Sequence, residues 1–231
     1  MALPYFYQEQ YAGEKNWILD EDTSKHCVQV LRMEAGEKLV LTNGKGLLAT
    51  VQITDPHKKK CGVTLVSVEN IPAPAHKQLI GISLLKNASR FEWFLEKATE
   101  LGINGIVPLL CKRTERQHFR EERLKGILIA AMLQSQKAWL PELYTPQSIE
   151  EVVKIPAEKK FIAHCMDSEK TPLKMMVTPA VSQYLLIGPE GDFTEEEVIS
   201  ASNAGFQPVS LGNFRLRTET AGIYGAVTLM M

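Results

Sequence analysis

From Gln78 onward, short apolar runs rich in Ile, Leu and Val alternate with longer stretches of helical periodicity. That rhythm leaves few folds open. Strands joined through helices pair in parallel, and a parallel sheet must be covered on both faces. QLIGISLL, INGIVPLLC, FIAHC, QYLLIG and QPVSLG read as strands. ASRFEWFLEKATELG, FREERLKGILIAAMLQSQKA, TEEEVISASNAGF and TETAGIYGAVTLM read as helices. Ser89 with Glu92, and Thr194 with Glu197, have capping-box spacing, and Gly205 stands where a helix C′ residue belongs. The last helix is apolar almost all round, so it is expected to be buried in the core or against a second chain.

The first seventy residues follow another pattern. EKLVLTNGKGLLATVQITD sets Asn43-Gly44 between β-prone runs, a hairpin signal, and CGVTLVSVE alternates apolar and polar residues. SKHCVQVLRM reads as a short helical turn ending near Arg32. This is a small barrel or curled sheet. NIPAPAH, Asn70 to His76, carries two prolines and reads as a linker. The expected organisation is a small β domain over 1–72 and an α/β domain over 77–231.

Composition narrows the function classes. No apolar run is long enough to span a bilayer, and MALPYFYQEQ lacks a signal peptide's basic-then-apolar pattern. Cys27, Cys61, Cys111 and Cys165 lie far apart with no CxxC pair, which argues against a zinc site and a disulfide framework. A cytoplasmic protein without a metal is expected. The net charge of −1 hides a polarity along the chain. Lys and Arg number 8 against 9 Asp and Glu over 1–76, 11 against 6 over 77–140, and 7 against 12 over 141–231. A globally basic nucleic-acid binder is excluded, while a basic face in the middle third remains open.

In parallel sheets, ligands sit outside the carboxyl ends of the strands. Two loops have that position: IGPEGDFT after QYLLIG, and LGNFRLRTET after QPVSLG. Gly188, Gly191 and Gly212 remove side chains where backbone approaches a ligand or takes positive φ, and Pro189 stiffens the first turn. Neither loop matches a dinucleotide fingerprint or a P-loop. Glu190, Arg215, Arg217 and Glu219 add charge at both mouths.

LLIGPEGDFTEEE followed by LGNFRLRTETA closely resembles the C-terminal signature of the ribosomal RNA small subunit methyltransferase E family. FEWFLEKATELGINGIVPL and HCVQVLRMEAGEKLVLTNGKG are similar to further segments of that family, in the same order over nearly the whole chain. The resemblance implies a SPOUT-type α/β domain with a C-terminal trefoil knot, a rare exception to unknotted topology, preceded by a PUA-like β-barrel. It implies a homodimer that methylates N3 of one uridine in the decoding region of 16S ribosomal RNA, in the assembled small subunit, using S-adenosylmethionine. Cofactor contacts are expected from Leu186, Ile187, Gly188, Glu190 and Gly191 on the first loop. The second loop would add Leu211, Gly212, Leu216, Arg217 and Thr218.

Arg217 is the candidate for stabilising charge that develops on the uracil oxygens or for gripping the target phosphate. Glu219, or secondarily Glu190, would take the N3 proton or hold Arg217; Glu219 also suits a plain first-turn carboxylate facing the helix dipole. RNA contacts are expected from Arg32, Lys86, Arg90, Lys112, Arg113, Arg116 and Lys137. His164 reads as packed or cofactor-adjacent. The chain departs from the family in three places. Asp192 stands where a further glycine is common, Phe214 takes the place of an arginine that appears one residue later as Arg215, and Lys137 replaces an arginine.

Overall fold

A computed structural model of the chain describes residues 3–115, 118–178 and 180–231. It divides into two compact units. One runs up to Ala73 and takes in Met132–Leu140; the other comprises Pro74–Ala131 and Pro141–Met231.

The first unit contains β1 (Tyr5–Tyr7), β2 (Asn16–Ile18), α1 (Glu21–Lys25), β3 (Lys38–Thr42), β4 (Leu47–Asp55) and β5 (Gly62–Asn70), with sheet order β1-β3-β4-β5-β2. β3 and β4 form the expected antiparallel hairpin. Asn43 Oδ1 accepts from the Lys45 amide at 2.8 Å, and Gly44 and Gly46 take φ of 70° and 95°, so the turn is made by the residues that signalled it. Alternate β4 residues Leu47, Ala49, Val51 and Ile53 point inward to meet Leu39, Leu41 and Val63. Register shifts against β5 after Thr50 and Ile53 curl the sheet. Asp20 caps α1 through the Thr23 amide; a π turn, His26–Val30, follows, and Arg32 ends it at φ 55°.

The later segment Met132–Leu140 is stitched into this unit, where the sequence reading placed no part of the second half. Gly46 donates to Ala138 O at 2.9 Å, and Trp139 Nε1 donates to Ile71 O at 3.1 Å. A Cβ on Gly46 would lie 2.5 Å from Ile71 O and 2.7 Å from the Trp139 ring. Only glycine fits beneath the indole.

The second unit contains β6 (Gln78–Ser83), α2 (Ala88–Leu101), β7 (Gly105–Leu110), most of α3 (Glu121–Gln134), β8 (Glu142–Leu143), β9 (Gln147–Ser148) and α4 (Ile149–Val152). β10 (Lys159–Ala163), β11 (Thr171–Pro172), β12 (Gln183–Ile187), α5 (Glu195–Asn203), β13 (Gln207–Ser210) and α6 (Thr218–Leu229) complete it. The sheet order is β11-β13-β10-β12-β6-β7-β8, with β9 also on β7, and the pairings are parallel as expected. Successive β12 residues face opposite layers. Leu185 meets Gly225 of α6, which packs with α2. Leu186 joins Ile149 and Val152 of α4 and Ala201 of α5 in the other core.

Of the two expected capping boxes, Thr194 with Glu197 forms on α5, and Gly205 follows at φ 90°. The other does not form. Asn87 caps α2 by accepting from the Ser89 amide, and Glu92 is held by Arg123 at 2.6 and 2.9 Å. Asn is as good a cap as Ser, and the Arg123 fork outcompetes a backbone amide for the carboxylate. Among the described residues, no helix is long and apolar enough to cross a membrane, and no group of three or more His, Cys, Asp or Glu could hold a metal.

Candidate active site

A cavity of about 750 Å³ opens where β10, β12 and β13 end. The three strands are parallel neighbours, so their outgoing loops meet at one sheet edge. That volume suits a cofactor-sized ligand.

The loop after β12 is braced from several sides. Asp192 N donates to Pro189 O at 2.9 Å, closing the turn. A Cβ on Gly188 would lie 3.0 Å from the Phe193 ring, so this glycine lets the buried phenyl fold under the turn. Arg113 Nη1 donates to Gly191 O at 2.8 Å and Phe193 O at 3.3 Å. Asp192 sits at φ 65°; its Oδ2 accepts from the Cys165 amide at 2.8 Å and its Oδ1 from the Phe193 amide at 2.9 Å. Glu197 accepts from the Thr194 amide at 2.8 Å and the Lys112 amide at 2.7 Å, joining the start of α5 to the end of β7.

The loop after β13 turns at Gly212, φ 123°, and Arg217 becomes the N-cap of α6. Between them Phe214 is 87% exposed, and Arg215 Nη2 reaches back to Glu190 O at 3.5 Å. The loop after β10 supplies His164, buried and, among the described residues, without a partner for either ring nitrogen. Burial pushes its imidazole below the usual range and Lys170 adds to this, with Asp192 opposing. Lys170 Nζ donates to His164 O at 3.0 Å and also to Met166 O.

Ile187, Gly188, Glu190, Leu211, Gly212, Leu216, Arg217 and Thr218 line the cavity together. Leu186 does not; its side chain lies in the core with Tyr184 and Phe193. Gly191 faces Arg113. Glu219 is buried in the first turn of α6, with Oε1 3.6 Å from Arg90 Nε and Oε2 unpartnered among the described residues. It is absent from the cavity wall. Of the basic residues, Lys86 pairs with Glu115 at 2.7 Å, Lys112 is exposed, Arg32 is exposed in the first unit, and Lys137 belongs to the segment joined to that unit. Arg116 lies outside the described residues.

Sequence reading passed over Cys165, Ser168 and Lys170, which form the third wall. The signal was available: FIAHC holds a parallel strand that ends at Ala163, and the residues just beyond it are where the strand-end rule directs attention.

The RNA methyltransferase domain family matches residues 73–230, and the RNA methyltransferase PUA domain family matches residues 19–66. The chain is 33% identical over 207 residues to ribosomal RNA small subunit methyltransferase E of Synechocystis sp., covering 85% of this chain and 67% of that one. The crystal structure of a probable rRNA-methyltransferase from Porphyromonas gingivalis is similar at TM-score 0.90 and 37% identity, over 97% of this chain and 95% of that one. A ribosomal RNA small subunit methyltransferase E from Neisseria gonorrhoeae, solved bound to S-adenosyl methionine, is similar at TM-score 0.85 and 29% identity, over 97% and 95%.

Proposed function

This chain belongs to the ribosomal RNA small subunit methyltransferase E family, with a SPOUT-type α/β domain and a PUA-like β unit, and from that premise we propose its reaction. It methylates N3 of one uridine in the decoding region of 16S ribosomal RNA, within the assembled small subunit, using S-adenosylmethionine. The proposal includes a trefoil knot through the three strand-end loops, a homodimer and a cytoplasmic setting. The observation that carries it is the cavity itself: three braced loops with backbone-rich walls and two arginines, Arg215 and Arg217, on the lining.

Bound S-adenosylmethionine supplies an activated methyl on a cationic sulfur. Ile187, Gly188, Leu211, Gly212, Leu216 and Thr218 hold it, through backbone where glycine leaves room; Leu186 and Gly191 shape that wall from behind. Arg217 faces the uracil and balances negative charge on O2 and O4 as the N3 proton leaves. Glu190, the exposed carboxylate on the lining, accepts that proton. Glu219, the first candidate from sequence, is paired with Arg90 instead. It positions the start of α6, and with it Arg217, while its charge favours the helix dipole. Lys112 sits beside the first loop and, with Arg32 and Lys137, supplies phosphate contacts; Lys86 and Arg113 join them only by leaving Glu115 and the Gly191 and Phe193 carbonyls.

The test is methyl transfer from labelled cofactor to small subunits that lack the modification, with free 16S RNA as comparison. Subunits are expected to accept the label and free RNA far less. Arg217→Ala is expected to lower kcat roughly 100-fold, and Glu190→Gln to flatten the acid limb of the pH–rate profile. Near-normal turnover in both variants overturns the assignment.

A further inference from the structure

Phe214 is more exposed than any other large apolar side chain among the described residues, at 87%, yet it lies on the cavity lining. A lone exposed phenyl on an open surface needs no explanation. This one is placed differently. It stands in the loop between Gly212 and the Arg217 cap of α6, with Asn213 before it and Arg215 after it. Arg215 reaches the carbonyl of Glu190 on the facing loop. Phe214 therefore shares an exposed cavity lining with Arg215 and Arg217, where a nucleic acid would bring both a flat base and phosphate charge.

We propose that Phe214 is a positioning residue for the RNA: its ring stacks on a base of the substrate strand at the cavity mouth while Arg215 meets the adjacent phosphate. Stacking tolerates any base, because every base has a π face, so this contact orients the strand without reading its sequence. Charge complementarity favours RNA as the occupant: Arg215 and Arg217 share the lining with Phe214, and their charge matches a phosphate backbone. The buried part of the cavity is walled by Ile187, Gly188, Pro189 and Val209 with His164 and Thr218, and Phe214 is at its exposed rim, which assigns it to the RNA rather than to the cofactor.

The inference rests on the reading of this cavity as a site of base methylation. Its test uses the full chain, unmodified small subunits and S-adenosylmethionine. Phe214→Tyr and Phe214→Trp keep a π face; Phe214→Leu keeps apolar bulk without one. The expected result is that Tyr and Trp retain the wild-type KM for subunits, while Leu raises it about 5- to 150-fold, the range spanned by loss of one stacked base. Calorimetric affinity for S-adenosylmethionine is expected to stay unchanged in all three. Equal KM for Leu and Phe overturns stacking. A matching loss of cofactor affinity reassigns the ring to the cofactor and overturns it also. A changed sedimentation coefficient in Leu makes Phe214 a self-association contact, with the same consequence. No label transferred by the wild type sinks the underlying reading along with the inference.

Discussion

Asp192 does two jobs at one position. Its φ of 65° is one that glycine adopts freely and aspartate tolerates better than most residues. Its carboxylate then ties the loop after β12 to the Cys165 amide, 27 positions away in sequence. Asp192→Gly keeps the conformation and loses the tie; Asp192→Ala loses the tie and adds about 1–2 kcal/mol of strain. Melting temperature is expected to fall in the order Asp, Gly, Ala, with faster hydrogen exchange at the Cys165 amide in both variants. Unchanged exchange there would count against the tie. Sequence marked Asp192 as unusual and could go no further, since neither its φ nor its distant partner leaves a local trace. His164 carries a pH prediction. Its folded pKa lies below the ordinary value near 6.5, so on acidification the unfolded chain binds the proton first. Stability is unaffected above that value and falls as pH drops through it toward the lowered pKa. The urea midpoint of His164→Asn is expected to lose part of the wild type's decline between pH 7 and 5. Identical slopes would show that the imidazole titrates normally.

At the scale of elements, α6 shows how packing overrides propensity. A Cβ on Gly222 would lie 2.7 Å from two atoms of the Phe94 ring and 2.9 Å from Ile82, both fully buried. Alanine gains about 1 kcal/mol of helix propensity over glycine, while overpacking costs roughly 1–3 kcal/mol. Gly222→Ala is therefore expected to lower the urea midpoint, and an increase would mean that Phe94 can move aside. Sequence made the burial of this helix legible, because its apolar residues leave no polar face. It did not show which glycine touches what. The longer strands were legible in two ways: β4 alternates with a period of 2, while β6 and β12 show as unbroken apolar runs buried on both faces. β8, β9 and β11 have two residues each, too few for any period. Identical capping patterns at Ser89 and Thr194 met different fates because a neighbour, Arg123, claimed Glu92.

For the whole molecule, two quantities follow from charge and assembly. The middle third is basic, yet several of its cations are committed: Lys86 to Glu115, Arg90 to Glu219, and Arg113 to two carbonyls. Arg32 is exposed, and glycine suits its φ of 55°. Arg32→Gly is expected to weaken subunit binding and reduce the slope of log K against log salt by about 1; an unchanged slope would remove Arg32 from the RNA surface. The proposed dimer draws on Trp93 of α2 and Tyr224 of α6, 44% and 38% exposed on two helices that pack together. Tyr224→Arg is expected to shift sedimentation equilibrium toward monomer, and an unaltered mass would place the contact elsewhere. The discontinuous first unit was invisible to sequence, because Met132–Leu140 continues a helical pattern while its backbone bonds go to the β3–β4 hairpin. The candidate site was legible wherever its walls are backbone and glycine, and less so where a strand end supplies single side chains.

The proposed reaction places one methyl group on uridine N3 in the small-subunit RNA. Mass-spectrometric mapping of 16S RNA from a strain lacking the gene tests it most directly. 3-Methyluridine is expected to disappear from a single decoding-region position and to return when the wild-type gene is restored. Retention of that nucleoside, or loss of a methyl from a different RNA, would contradict it.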